Sequence, residues 1–370
     1  MKLVEFDYHL PPELIAQYPA PRRSDSHMLV VYRDEARFED SLFRRLPEYL
    51  APGDVLALNN SRVLPARLYG RRVGVKSQPI GKRNPKRGEY LSTQIEVLLV
   101  RPLDDHTWEA LVRPGRKVRT GERLVFEAAD AAGRVQRKVR LEAEVIGRGQ
   151  FGLRTLRFSD AASLSKNLET IGHVPLPPYI RRPDEKSDRL RYQTVYAKRP
   201  GSVAAPTAGL HFTRTMLAAL DVRGVERAEI TLHVSLGTFQ PIHKADTESH
   251  RLHPETFSVE APAAATLSRA LQDGRRIVAV GTTTVRTLEH VASQHGGRIE
   301  PTSGQTELFI QPGFPFRVVA GLLTNFHLPR TTLLMLVAAF GGRELILEAY
   351  RHAVRERYRF YSYGDCMLIL

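Results

Sequence analysis

The pattern of hydrophobic and polar positions along this chain changes twice, near residues 62 and 158. Between these points, short apolar runs follow one another closely and are separated by turns such as those at residues 114–115 and 120–121. Short strands at close spacing are typical of a small antiparallel barrel or sandwich. The sequence therefore predicts six strands here: ARLYGRR, QIEVLLV, TWEALVR, ERLVFEA, RKVRLEAEVI and FGLRTLRF.

The regions on either side alternate between helical and strand patterns. Before the β-rich stretch, the prolines of PPELIAQ predict a helix start, HMLVVYR predicts a strand, and LPEYLAPGDVLALNNSRV predicts a short helix, a turn and a buried strand. After it, predicted helices and β-branched runs alternate: SDAASLSKNLETIG, MLAALDVRG, VERAEITLHV, APAAATLSRALQDG and RRIVAVG. Such alternation favours an α/β fold with parallel strand pairing.

Together these patterns predict an interrupted fold. We expect the α/β class, with a discontinuous, barrel-like α/β major domain that comprises residues 1–62 and 158–370. A small antiparallel β-barrel domain, residues 63–157, is expected to be inserted into it. A length of 370 residues agrees with two domains, since one hydrophobic core rarely serves so long a chain.

The charge balance indicates a polyanionic partner. The chain has 54 Lys and Arg against 40 Asp and Glu, a formal net charge of +14, which favours nucleic acid. An anionic membrane is the alternative, but the N-terminal segment lacks an apolar signal core. The longest apolar block, residues 332–340, is far shorter than the roughly 20 residues of a membrane span. We therefore expect a cytoplasmic chain without a membrane partner.

Two further features limit the chemistry. Cys366 is the only cysteine, which excludes an internal disulfide, a thiolate zinc site and radical chemistry on a three-cysteine iron–sulfur cluster. The basic stretch at residues 75–90 is interpreted as a mobile loop. An RNA contact through its Lys82, Arg83, Lys86 and Arg87 is the less favoured alternative.

Five segments combine Gly or Pro with hydroxyls and an ionisable group beside an apolar run: PTAGLHFT (206–213), TLHVSLGTFQPI (231–242), GTTTVRTLE (281–289), TNFHLPRTT (324–332) and YSYGD (361–365). Loops of this kind at the ends of buried strands are where α/β enzymes build their sites. For PTAGLHFT the alternative is a turn before a helix, with Thr213 as N-cap and His211 as a core residue. The recurrence of the pattern predicts a shared cavity.

The histidines and the first turn of one predicted helix carry the candidate chemistry. His211 and His233 are candidate proton acceptors, because an imidazole has a pKa near neutrality. The HRLH motif pairs His250 with His253, but no third ligand has a clear spacing, so no metal site is expected. The helix start at Thr282, with Arg286 in its first turn, could bind a carboxylate or phosphate, although a capped helix with a surface arginine is the alternative.

Taken in order, these segments resemble the S-adenosylmethionine:tRNA ribosyltransferase-isomerase family of queuosine biosynthesis. Further segments carry the same resemblance: LIAQYP (14–19), NNSRVLPARL (59–68), IGHVPLPPYI (171–180), YQTVYA (192–197) and YRFYSYGD (358–365). One departure is Ser235, which stands where the family usually has glycine. The resemblance spans nearly the whole chain and implies an α/β domain with an inserted β-barrel, in agreement with the domain prediction above.

The resemblance implies a transferase that acts on a tRNA anticodon stem-loop whose wobble position carries 7-aminomethyl-7-deazaguanine. The enzyme would transfer and isomerise the ribosyl moiety of S-adenosylmethionine onto that amine, giving epoxyqueuosine, adenine and methionine. S-adenosylmethionine would be a consumed substrate, and no cofactor is expected. We further expect a monomer.

This chemistry requires a base, an acid for adenine and an anion clamp. We expect His211 or His233 to be the base, Arg286 and Thr282 to clamp the methionine carboxylate, and Asp365 with Tyr363 to lie near the modified base or the sulfonium. The remaining predicted substrate-binding residues are Asn60, Arg62, Pro206, Thr207, Gly209, Thr231, Thr238, Gln240, Gly281, Asn325, His327 and Tyr361.

Two other functions agree with a basic surface. A methyltransferase that acts on RNA with S-adenosylmethionine would require a Gly-rich loop after the first strand and an acidic residue after the next, and neither is present in the N-terminal region. A non-catalytic RNA-binding module could hold a stem-loop on its barrel. The concentration of cavity-like loops in the α/β part argues against the second.

Overall fold

The computed structural model describes residues 2–73, 94–115, 118–129, 135–150, 152–160, 162–234 and 253–370. The basic loop at 75–90 therefore lies outside the described residues, and so do Ser235, Thr238, Gln240, His243 and His250. Within the described part, the chain forms two compact units, residues 1–62 with 176–370 and residues 63–175. No helix of that part is both long and apolar enough to span a membrane.

The first unit contains a nine-stranded mixed sheet. Its strands are β1 His27–Tyr32, β2 Arg37–Leu42, β3 Val55–Asn59, β12 Glu226–Leu232, β13 Glu255–Val259, β14 Ile277–Val280, β15 Thr302–Thr306, β16 Gly321–Asn325 and β17 Cys366–Ile369. Their order is β15-β13-β12-β3-β14-β16-β17-β1-β2. In the described part, the sheet therefore ends at β15 and β2, which makes it an open mixed sheet within the confirmed α/β class.

Each face of this sheet has its own hydrophobic core. Strand β14 has the sequence IVAV and is buried along its whole length, as expected of a parallel strand covered on both faces. Its side chains alternate, so that Ile277 and Ala279 join one core while Val278 and Val280 join the other. The helices that cover the two faces hold the central strands rigidly.

The helices and short turns are distributed over both units. The α-helices are α1 Leu46–Tyr49, α2 Leu164–Ile171, α3 Asp188–Arg191, α4 Arg214–Val222, α5 Ala261–Gln272, α6 Thr282–Gln294, α7 Thr332–Gly341 and α8 Arg343–Arg355. Single 3-10 turns occupy Leu3–Phe6, Pro12–Leu14, Arg23–Asp25, Phe43–Arg45 and Thr207–His211. Strands β4 Ser61–Val63 and β11 Arg199–Ser202 pair separately.

The predicted helix at PPELIAQ is wrong. Only Pro12–Leu14 forms a 3-10 turn, and the backbone of Ile15 is already extended. Ile15 instead forms a parallel bridge with Phe360, and the amide of Ala16 donates to the Phe360 carbonyl at 3.1 Å. Long-range pairing with Phe360 thus holds the segment after the turn extended, although its prolines are typical of a helix start.

The second unit confirms the inserted antiparallel barrel. The closed barrel has the order β10-β7-β6-β5-β8-β9. Its strands are β5 Arg67–Val73, β6 Ile95–Pro102, β7 Thr107–Arg113, β8 Arg123–Ala129, β9 Val135–Arg148 and β10 Leu153–Phe158. This compact unit extends to residue 175, past the expected boundary at 157, because α2 packs on β8 and β9.

Candidate active site

The carboxyl ends of four central strands meet at one edge of the large sheet. Strand β12 is parallel to β3, β3 is parallel to β14, and β14 is parallel to β16. The residues that end or follow these strands, Asn59, Val234, Gly281 and Asn325, therefore lie along the same edge. In open α/β sheets this is the edge at which ligands bind.

A concave pocket, here called the edge cavity, opens at this position. It is lined by Tyr179, Ala205, Pro206, Thr207, Ala208, Val234, Gly281, Thr282, Thr283, Thr324, Asn325, Phe326, His327, Leu333, Tyr361 and Ser362. All five segments singled out in the sequence contribute to it. Seven of the predicted site residues are brought together here: Pro206, Thr207, Gly281, Thr282, Asn325, His327 and Tyr361.

PTAGLHFT forms both a cavity wall and a capped turn. Thr207–His211 is a 3-10 turn, and Thr213 then caps α4 by accepting a hydrogen bond from the Met216 amide at 3.1 Å. Gly209 lies in the buried part of this turn, against the side chain of Tyr196. A Cβ at position 209 would come within 2.1 Å of the Tyr196 hydroxyl oxygen. Glycine is thus required here for close packing.

We expect Gly209→Ala to lower the free energy of unfolding by about 1–3 kcal/mol, the usual cost of overpacking a core. The buried hydroxyl of Tyr196 has no hydrogen-bond partner among the described residues, so Tyr196→Phe alone should change stability little. Urea denaturation of the Gly209→Ala, Tyr196→Phe double variant should show part of the loss restored. Equal losses in the single alanine variant and the double variant would contradict this contact.

The start of α6 presents backbone amides to the cavity. Gly281 is the N-cap residue and has φ +89°, a conformation that favours glycine. The helix begins at Thr282, so the N–H groups of its first turn point out of the N-terminus and carry partial positive charge. Thr282 is therefore the first helical residue, as the sequence predicts, and Gly281 occupies the capping position.

Asn325, at the end of β16, is fixed in orientation. Its Nδ2 donates to the carbonyls of Tyr361 at 3.0 Å and Asp365 at 3.4 Å, and lies 3.3 Å from His211 Nε2. Since Nδ2 faces two carbonyls, the amide cannot be reversed without placing oxygen against oxygen. The Oδ1 atom is buried, and no group in the described part of the chain donates a hydrogen bond to it. A buried acceptor without a donor costs free energy, and a donor group that reaches it removes this cost.

His211 lies behind this wall and is absent from the lining of the edge cavity. Its Nδ1 is 2.9 Å from Ser26 Oγ, and its Nε2 faces Asn325 Nδ2. Burial, followed by the positive charge of Arg359, lowers the pKa of His211 to about 3. His211 is therefore neutral at pH 7, and its geometry is that of a residue that holds Asn325 in place.

His327, unlike His211, lines the edge cavity. Its Nε2 lies 2.9 Å from Thr324 Oγ1, and its backbone amide donates to the Tyr350 hydroxyl at 3.1 Å. Among the described residues, no hydrogen bond is made by its Nδ1. Burial lowers the pKa of His327 to about 3 as well, so the ring is neutral at pH 7.

Tyr361 forms another part of the wall in a strained backbone conformation. Its φ is +74°, which is rare for an aromatic residue. The Asn325 side chain bonds its carbonyl, and its ring contacts that of Tyr179 with the centroids 4.1 Å apart. Contacts on both sides of the residue hold this conformation.

Arg286 does not line the edge cavity. It is buried in α6, where its Nη1 donates to Glu255 Oε2 and its Nε donates to the Leu308 carbonyl at 3.0 Å. These contacts fix β13 and the segment after β15 against the helix. The sequence suggested that Arg286 binds the substrate carboxylate, but its guanidinium instead forms an internal ion pair with Glu255.

His233 also lies outside the cavity lining, although its neighbour Val234 belongs to it. Its Nδ1 is 2.7 Å from Ser61 Oγ, and its ring covers Gly201, where an added Cβ would be 2.7 Å from the imidazole. Burial lowers the pKa of His233. The ring therefore packs between β4 and β11.

Asp365 and Tyr363 are committed to internal contacts. The Asp365 carboxylate accepts from the backbone amides of His27 at 3.0 Å and Arg359 at 2.8 Å, which closes the YSYGD turn onto β1. Tyr363 donates its hydroxyl hydrogen to Asp188 Oδ1 at 2.6 Å. Neither side chain lines the edge cavity.

The remaining predicted residues lie elsewhere. Thr231 donates to Asn60 Oδ1 at 2.7 Å, and Asn60 Nδ2 donates to Glu229 Oε2 at 3.3 Å, which forms a polar cluster beside β3 and β12. Arg62 is exposed at the end of the first unit's N-terminal part. Thr238 and Gln240 fall outside the described residues.

The comparison with protein families extends over almost the whole chain. The model of a family described as "Queuosine biosynthesis protein" matches residues 3–369. This chain belongs to that family.

Relatives in the queuosine biosynthesis protein family resemble this chain along their full length. The S-adenosylmethionine:tRNA ribosyltransferase-isomerase of Solibacter usitatus is 55% identical over 372 residues, with 100% of both chains covered. The protein of the same name from Carboxydothermus hydrogenoformans is 47% identical, again over 100% of both. A crystal structure of S-adenosylmethionine tRNA ribosyltransferase from Thermotoga maritima is 39% identical, covers 99% of this chain and 100% of that one, and gives a TM-score of 0.53.

Several cavity residues of this queuosine biosynthesis protein were not singled out from its sequence. Thr283 and Thr324 lie inside two of the selected segments, and their hydroxyls were a usable signal. Tyr179 contacts Ser362, with their hydroxyl oxygens 2.5 Å apart, and both lie within segments that carry the family resemblance. Ser26 had no such signal, because only the fold brings it to His211.

Proposed function

We propose that this chain transfers and isomerises the ribosyl moiety of S-adenosylmethionine onto 7-aminomethyl-7-deazaguanine at the wobble position of tRNA. The products are epoxyqueuosine in the tRNA, free adenine and methionine. S-adenosylmethionine is consumed as a substrate, and no cofactor takes part. The observation that supports this most is the edge cavity, because all five of the Gly- or Pro-containing segments singled out in the sequence contribute to its lining.

The proposed reaction begins at the sulfonium, which acidifies the C5′ hydrogens beside it. A base removes one of these protons to give an ylide, and its collapse opens the ribose and expels adenine. The amine of the RNA base then adds to the sugar, and epoxide closure expels methionine. The protein must therefore supply a proton acceptor, a donor for adenine and a site for the methionine carboxylate.

We assign the proton acceptor to His327. Its Nδ1 makes no hydrogen bond to the described residues, and its ring lines the cavity, whereas both ring nitrogens of His211 face protein groups. Burial lowers the pKa of His327 to about 3, so its ring is neutral at pH 7. Thr324 fixes the ring through Nε2. His211 becomes a positioning residue that acts through Asn325.

Asn325 is assigned to substrate binding. Its Oδ1 is buried and oriented, and it accepts no hydrogen bond from the residues that the structure describes, so it can accept one from an N–H or O–H group of the adenosyl moiety. The methionine carboxylate is assigned to the backbone amides at the start of α6, next to Thr282 and Thr283. This replaces the clamp expected at Arg286.

The macromolecular substrate in this proposal is a tRNA anticodon stem-loop, because the wobble nucleotide lies there. The net charge of +14 favours its binding. We propose further that the chain acts as a monomer and in the cytoplasm, where tRNA is modified.

The proposed reaction is tested by the products. The chain is incubated with S-adenosylmethionine and tRNA that carries the aminomethyl base, and the small molecules are separated by chromatography. Adenine formed in equal amount to methionine is the expected result. S-adenosylhomocysteine would instead identify a methyltransferase, and RNA binding without either product would identify a binding module.

A further inference from the structure

A second concave pocket lies on the other side of His211 from the edge cavity. This arginine cavity is lined by Arg23, Arg191, Ser26, His211, Ser362 and Tyr363, among others. Ser362 lines both pockets, and the contact between His211 and Asn325 joins them. The two pockets are therefore neighbours within one unit of the molecule.

The described residues that accept hydrogen bonds from the Arg23 side chain do so through backbone carbonyls. Its Nη1 donates to the Leu210 carbonyl at 2.8 Å, and its Nη2 donates to the Leu190 carbonyl at 2.5 Å. Carbonyl groups orient a guanidinium without neutralising its charge. In the described part of the chain, Arg23 forms no ion pair with a carboxylate.

Arg191 has the same kind of environment. Its Nη1 and Nη2 donate to the carbonyls of Pro21 at 3.1 Å and Ala20 at 2.5 Å, while its Nε is buried and finds no acceptor within the described ranges. No ion pair of Arg191 occurs among the described residues either. The cavity thus holds two oriented positive charges without a compensating negative charge.

The charges around Arg23 and Arg191 also indicate that the two guanidinium groups lack a compensating carboxylate among the described residues. Burial, followed by the positive charge of Arg191, lowers the pKa of Arg23, so the two guanidinium groups repel each other. Asp188 lies nearby, but its oxygens already accept from Arg182 at 2.7 and 2.9 Å and from Tyr363 at 2.6 Å. An anion from outside would offset the repulsion, and arginine pairs are well suited to phosphate.

We propose that Arg23 and Arg191 bind a backbone phosphodiester of the RNA substrate beside the modified nucleotide. This inference rests on the proposed function. A nucleotide whose base enters the edge cavity must place its phosphates close to that cavity, and the arginine cavity is its neighbour. A methionine carboxylate is less suitable as the occupant, because the proposed function places it at the start of α6, within the edge cavity.

Arg191→Gln tests the proposal through the salt dependence of RNA binding. One lost phosphate contact should weaken binding of an anticodon stem-loop RNA roughly fourfold at about 0.15 M salt and reduce the log–log salt slope by about 0.7. The KM for S-adenosylmethionine should stay unchanged. Arg22→Gln is the matched control, since Arg22 is exposed, carries the same charge and does not line the cavity. It should leave the slope nearly unchanged.

Arg23→Lys keeps the charge and removes the planar fork, so it should weaken RNA binding less than Arg191→Gln does. Fluorescence anisotropy gives both affinities, and thermal unfolding shows whether each variant is folded. An unchanged salt slope in folded Arg191→Gln would overturn the proposal. A raised KM for S-adenosylmethionine with unchanged RNA affinity would also overturn it and would identify a carboxylate site. If the unaltered chain binds RNA but releases no adenine, the proposed function fails. The salt slopes of Arg191→Gln and Arg22→Gln then still test the phosphate contact.

Discussion

His327→Gln is expected to lower kcat for adenine release by roughly 10²- to 10⁴-fold, the usual contribution of a positioned general base. Glutamine can still hydrogen-bond to Thr324, but it cannot accept a proton from carbon. The KM for S-adenosylmethionine should change little, because the side chain remains polar and similar in size. Single-turnover release of adenine, measured with modified tRNA in excess, reports this step directly.

His211→Gln is the matched control for this prediction. Both histidines are buried and neutral, but only His327 lines the edge cavity. Loss of the contact to Asn325 should act mainly on KM for S-adenosylmethionine and leave kcat closer to its original value. Normal adenine release by His327→Gln, together with an abolished kcat in His211→Gln, would return the role of base to His211.

Acidification from pH 7 to pH 5 is expected to lower the free energy of unfolding by about 4 kcal/mol. The pKa values of His211 and His327 are about 3 in the fold, against about 6.5 in an unfolded chain. The unfolded state therefore binds more protons between these values. The stability from each neutral histidine is complete above pH 6.5 and is lost progressively as the pH falls towards 3.

Denaturant unfolding at a series of pH values measures this loss. His211→Asn should be less stable at pH 7, yet it should lose less stability on acidification, since one of the buried neutral histidines is gone. His9→Gln is a suitable control because His9 is exposed. The same pH dependence in His211→Asn as in the unaltered chain would contradict the buried neutral state of this ring.

The strand and loop pattern of the site could be predicted from the sequence, because it is local. The apolar run RRIVAVG before GTTT predicts a buried strand, and β14 forms there; the parallel strand β16 places TNFHLP on the same edge of the sheet. The six barrel strands were predictable for the same reason. In each case, the alternation of apolar and polar side chains over a few consecutive residues is enough to predict the strand.

The roles of individual residues depended on contacts between distant segments. Arg286 has the sequence context of a helix-start clamp, but Glu255 from β13 occupies its guanidinium. Asp365 has the sequence context of a free carboxylate, but the amide of His27 reaches it from the other end of the chain. Sequence periodicity indicates that a position is buried, and it does not indicate which distant group the position meets.

The central position of β3 also determines when the site can form during folding. Its five residues are fully buried, and they pair on one side with β12, which begins at Glu226, and on the other with β14, which begins at Ile277. Pairing over such long sequence separations is slow because the loops must close first. During synthesis, the apolar strand β3 emerges long before either partner, so the edge that carries the cavity can form only after β12, β14 and β16 have been made.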